Sequence, residues 1–196
     1  MILGITALAA ILAQATAPAA VSGLPRAEAI EASLPVMARH AGVWCGVFRR
    51  FDGEGGLVET FPTEVSIRFP RDGASDYEQI NRYSPEGRPP SVLATRGVFD
   101  GDRIRFDTPR IRGWAVDDRS DEKGRTVLLF FEFLDGSGSY FYESIQLSDE
   151  GDRRHRVAQY FTPDGTLLRR TLIDEVKQPA TSPDRNQDDV RCEPAP

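Results

Sequence analysis

From Trp44 onward the chain is cut into short runs by residues that make tight turns. Asp52-Gly53, Asp72-Gly73, Glu86-Gly87, Asp100-Gly101, Asp135-Gly136, Glu150-Gly151 and Asp164-Gly165 each place a carboxylate side chain before a glycine that accepts positive φ. Between them lie runs rich in Val, Ile, Phe, Tyr and Thr, the residues that fit a pleated sheet. The spacing predicts about ten strands, over 43–51, 57–69, 77–83, 91–99, 103–107, 111–117, 126–134, 140–148, 155–162 and 167–175. Hairpin-length loops make consecutive strands antiparallel neighbours. The fold class is therefore all-β, an antiparallel up-and-down barrel of about 8–10 strands with a short N-terminal helix. Closure into a barrel is favoured over an open sandwich because it removes both sheet edges.

Upstream of the strands the pattern changes twice. Met1 to Pro25 carries no charged side chain, and residues 2–13 are almost entirely Ile, Leu and Ala. That run is shorter than the about 20 residues a spanning helix needs, and small residues follow at Ala13, Ala15 and Ala17. Residues 1–20 therefore read as a secretory signal peptide, cut after Ala15 or Ala20. With no Lys or Arg at its start, either the terminal amine supplies the positive charge or the true start lies upstream. The expected location is periplasmic or secreted, with no membrane span in the mature protein. Residues 21–41 read as a linker and short helix, with Ala29, Ile30, Leu34, Met37 and Ala38 at helical spacing and Pro35 forcing a kink. Residues 42–176 form the barrel domain and 177–196 an extended C-terminal tail.

Composition narrows the function classes. Of 196 residues, 40% are hydrophobic and 28% charged, which suits one globular domain with a real core. The net charge of -6 argues against nucleic acid or an anionic membrane surface as partner. Arg49-Arg50 and Arg169-Arg170 put arginine on both faces of their strands, which a lipid-facing barrel does not tolerate. His40, at the helix exit, and His155, among Arg153, Arg154 and Arg156, are expected on solvated edges. The acidic run 117–122 lacks the spacing of an EF-hand loop. There is no P-loop, G-x-G-x-x-G or G-x-S-x-G. No catalytic residue, metal or cofactor is assigned, and an enzyme using Glu143 or Glu132 ranks below a binding protein.

Gly42-Val43-Trp44, directly after the helix, resembles the G-x-W signature that opens the barrel in the lipocalin family of the calycin superfamily. The architecture of residues 26–176 is similar to that of the uncharacterised bacterial domain families of that superfamily. The resemblance implies that Trp44 plugs the closed end, behind Gly42, and that Arg169 or Arg170 from the last strand stacks on it. The two cysteines give an independent expectation. An even pair in an exported chain predicts a disulfide from Cys45 to Cys192, tying the tail to the first strand. If Trp44 points inward, alternation points Cys45 outward to meet it.

Polar side chains on half-buried strands mark a candidate pocket. Tyr77, Gln79, Asn81 and Tyr83 share one face of their strand, and Tyr140, Tyr142, Ser144 and Gln146 share one of theirs. Glu143 and Glu132 lie among apolar neighbours on the other parities. A carboxylate so placed must be paired, protonated or exposed, and Arg50, Arg82, Arg96, Arg105 and Arg156 are possible partners. Which parity faces inward stays open, so the candidate ligand-binding set is Arg50, Gln79, Asn81, Tyr83, Tyr142, Glu143 and Gln159. The expected function is binding of a small apolar or amphipathic ligand. By resemblance to calycin carriers, Arg50 would hold the carboxylate of a fatty-acid-like molecule. The alternative is an assembly module of the cell envelope with a filled barrel.

Overall fold

A computed structural model of the chain describes residues 24–71, 74–179 and Cys192. The segment read as a secretory signal and most of the tail lie outside the described residues. Two short helices, α1 (Arg26–Ser33) and α2 (Pro35–Arg39), lead into ten strands. These are β1 (Gly42–Asp52), β2 (Leu57–Arg68), β3 (Tyr77–Tyr83), β4 (Ser91–Phe99), β5 (Ile104–Asp107), β6 (Ile111–Asp117), β7 (Thr126–Phe133), β8 (Tyr140–Leu147), β9 (Arg153–Phe161) and β10 (Leu167–Lys177). Each strand pairs antiparallel with its sequence neighbour, and β1 pairs with both β2 and β10, closing the barrel.

The helices cap one end. Pro35 takes the first turn of α2, where a missing amide hydrogen costs nothing. The freed N–H groups of Val36 and Met37 donate to the Asp117 carboxylate of β6 at 2.8 and 2.9 Å. That capping group comes from the barrel wall, not from the local sequence. Burial pushes the Asp117 carboxyl above its ordinary value, and the two backbone donors oppose the shift. Ile30, Leu34, Val36 and Met37 are buried over this end.

Beneath the helices lies Trp44, fully buried, with its indole N–H donating to the His40 carbonyl at 2.8 Å. The cation over its ring is Arg154 of β9, with the guanidinium carbon 4.4 Å from the centroid, and Lys177 of β10 stands 5.3 Å away. This corrects the expectation for Arg169 and Arg170. β10 runs from the open end toward the closed end, and its residue opposite Trp44 is Lys177. Arg169 and Arg170, near its start, instead lie over Tyr160 and Phe51. Gly46 makes room below the plug, since a Cβ there would stand 2.0 Å from the Asp174 carbonyl oxygen and 2.7 Å from Glu175 Cγ. Outside the wall, Cys45 and Cys192 form a disulfide with Cα atoms 5.5 Å apart, and the Cys192 N–H donates to Glu64 of β2.

His155 is exposed and bonded to Asp174, but His40 is not on a solvated edge. It is buried, its Nδ1 3.4 Å from Arg154 Nη1. Burial first, then the charges of Arg154, Arg156, Lys177 and Arg39, hold its pKa well below the ordinary imidazole value. The native state thus keeps His40 neutral while the unfolded chain takes up a proton near pH about 6.5. Stability is full above that value and falls on acidification through it, by at most about 1.4 kcal/mol per pH unit, until the native imidazole titrates. Urea denaturation at pH 7.5 and pH 5.5 checks this: His40→Asn is expected to lose less stability on acidification than the natural protein. Equal losses would remove His40 as the cause.

Candidate functional site

Once Trp44 faces inward, the register carries the same parity around the ring. Phe48 follows on β1, the odd residues of β3 and β7 point in, and so do Phe141 and Glu143 of β8 and Arg156 and Tyr160 of β9. Between the middle of the barrel and the end away from the helices these side chains enclose a cavity of 280 Å³. Its wall is largely aromatic. Phe141 stacks on Tyr160 at 4.8 Å and on Phe131 at 4.9 Å, while Phe48 stacks on its register partner Phe61 of β2 at 4.6 Å.

Two polar arrays cross this aromatic wall. On β3 the Tyr77 hydroxyl donates to Gln79 Oε1 at 2.5 Å, and Gln79 Nε2 donates to Asn81 Oδ1 at 3.0 Å. The directionality leaves the Asn81 amide nitrogen as the terminal donor. On β8 and β9 Arg156 Nε donates to Glu143 Oε1 at 2.8 Å, and Arg156 Nη1 lies 3.8 Å from Glu175 Oε1. Glu175 in turn grips Arg154 through two bonds of 2.5 and 3.0 Å. A chain of alternating charge therefore runs from the Trp44 plug to the cavity, two cations against two anions. Burial works against the Arg156 charge, but Glu143 and Glu175 outweigh it and hold its pKa above the ordinary guanidinium value. Burial also raises the Tyr83 phenol and pushes Tyr160 up to about 12, so both remain protonated hydrogen-bond donors at neutral pH.

The barrel thus brings Gln79, Asn81, Tyr83 and Glu143 together on one cavity. Arg50 faces inward but does not line it, because its Nε is 3.1 Å from Glu59 of β2. Tyr142 and Gln159 lie on the outer face: pleat alternation that turns Glu143 and Tyr160 in must turn them out, and Tyr142 is 50% exposed. Glu132 shares that outer parity. Arg156, Tyr160, Arg169 and Arg110 line the cavity without having been singled out for it. The available signal was that Arg156, Ala158 and Tyr160 share a parity, so a small residue and an aromatic flank the arginine's face. Among the described residues, no group of three or more His, Cys, Asp and Glu is placed to hold a metal ion.

Several solved structures have a similar shape. An S-type phycobiliprotein lyase from Guillardia theta matches with a TM-score of 0.54 at 15% identity, over 73% of this chain and 90% of that one. A protein from M. tuberculosis matches with a TM-score of 0.50 at 15% identity, over 77% and 98%. A protein of unknown function from Nostoc punctiforme matches with a TM-score of 0.50 at 15% identity, over 71% of this chain and 48% of its own, so the chain spans about half the length of that relative. These likenesses show the fold. No curated protein matches the chain. A family described as "Domain of unknown function (DUF3598), N-terminal" matches residues 32–180, well over half of the sequence, and the chain belongs to the DUF3598 family.

Proposed function

We propose that this is an exported barrel that binds a small amphipathic molecule in its cavity and releases it unchanged. The observation that carries the reading is the 280 Å³ space itself, near the lower bound of small-molecule pockets, with an aromatic wall and a few convergent polar groups. A barrel filled by side chains throughout, as an assembly module would have, leaves no such space. The packed half is confined to the Trp44 end, where Val65, Ile67 and Ile104 are buried without lining the cavity. Export is supported by the uncharged apolar start of the sequence and by a disulfide, which suits an oxidising compartment.

Filling the cavity tests binding. Thr95 of β4 lines it and is only half buried, so Thr95→Trp directs an indole into the space. The natural protein is expected to bind the neutral fluorescent probe 2-naphthamide saturably at one site. Thr95→Trp is expected to weaken that binding by roughly tenfold or more with little change in thermal unfolding. Equal binding by both, or no binding of either this probe or its carboxylate analogue 2-naphthoate by the natural protein, overturns the proposal.

A further inference from the structure

We infer that the ligand is a small aromatic carboxylate whose anionic group lies at the mouth of the barrel, between Arg110 and Arg169. The inference rests on the reading of the cavity as a binding site and adds the charge, size and orientation of what enters.

Charge compensation carries the first step. Three arginines of the barrel interior are paired: Arg156 with Glu143, Arg154 with Glu175, Arg50 with Glu59. Arg110 and Arg169 also line the cavity, yet neither has an ion pair among the described residues. Arg169 is held in place without one, its guanidinium carbon 4.2 Å from the centre of the Tyr160 ring. That contact anchors the side chain while its N–H groups can still donate to a planar anion. Arg110 comes from the turn before β6, four strands around the ring from β10. The cavity lining therefore carries three arginines, Arg110, Arg156 and Arg169, against one carboxylate, Glu143. That excess of positive charge favours a small anion over a cation.

Depth and size supply the rest. Near the two arginines Tyr160 stacks with Phe133 and with Phe141, the ring pairs inclined by 19° and 27°. With their faces turned toward one another, these rings present edges to a flat ring inserted in the cavity, the favourable edge-to-face contact. Farther in, the donor chain of β3 ends at the Asn81 amide, which offers its N–H to an acceptor on the inner edge of the ligand. A volume of 280 Å³ admits a molecule of roughly ten to fifteen non-hydrogen atoms, so long acyl chains and extended polycyclic pigments are too large to be enclosed.

The test compares 2-naphthoate with its neutral near-isostere 2-naphthamide by isothermal titration calorimetry. 2-Naphthoate is expected to bind roughly tenfold or more tighter. Raising salt from about 0.05 to 0.5 M should erode that advantage while leaving 2-naphthamide unchanged. Arg169→Gln is expected to cost most of the advantage, Arg110→Gln less because its side chain is more exposed, and Arg169→Lys to restore part of it. Equal affinities for the two probes, with both still sensitive to Thr95→Trp, overturn the anion assignment and leave cavity binding standing. Unchanged 2-naphthoate affinity in Arg169→Gln overturns the placement at the mouth. Binding of neither probe overturns both proposals.

Discussion

Glu175→Ala is expected to destabilise the barrel by about 3–5 kcal/mol, enough to unfold a marginal domain. Arg154 and Glu175 are both completely buried, joined by two hydrogen bonds, and the same carboxylate lies 3.8 Å from Arg156. Removing it strands one buried guanidinium and weakens the neutralisation of a second. The pair itself contributes far less than its loss costs, because bringing two charges out of water offsets most of their attraction. The double replacement Arg154→Met with Glu175→Leu is therefore expected to recover most of the lost stability. What it does not recover is the cation over the Trp44 ring, worth about 0.5–2 kcal/mol. Urea denaturation of the two variants checks the argument. A loss under about 1 kcal/mol in Glu175→Ala, or a double variant no better than the single, would falsify it.

The barrel was legible in the sequence because its determinants are short-range. Turn chemistry at Asp-Gly and Glu-Gly steps cut the chain where the hairpins turn, and β3, β4 and β6 fall on 77–83, 91–99 and 111–117, the ranges read from the sequence. Facing is a long-range property. A shift of one residue reverses every side chain of a strand, so inward Glu143 and outward Tyr142 are adjacent residues with opposite roles. Arg153-Arg154-His155-Arg156 shows why the interior charges were hidden. Four consecutive basic residues have no apolar alternation, and only carboxylates on β8 and β10 distinguish the inward pair from the outward one. The stacking cation was misplaced for a similar reason. It requires knowing which end of β10 meets Trp44, and that follows from strand direction in the closed ring. His40 was misread because a helix exit looks exposed until the barrel end covers it.

Trp44→Ala is the second large effect expected, a loss of about 3–5 kcal/mol. The indole touches groups from three directions: the His40 carbonyl accepts its N–H, Arg154 covers its ring, and the core at the helix end packs around it. Alanine leaves a void too deep for the helices to refill and removes the face on which a buried cation rests. Trp44→Phe separates these contributions. It keeps a ring beneath Arg154 but loses the hydrogen bond, so its expected cost is smaller, about 1–3 kcal/mol, including the buried carbonyl left without its donor. Trp44 does not line the cavity, which lies toward the other end of the barrel. At a temperature where Trp44→Phe remains folded, its affinity for 2-naphthoate should match that of the natural protein while its urea midpoint falls. Loss of affinity in step with stability would instead show that the plug sets the geometry of the mouth, with the charge chain through Arg154, Glu175 and Arg156 as the physical connection.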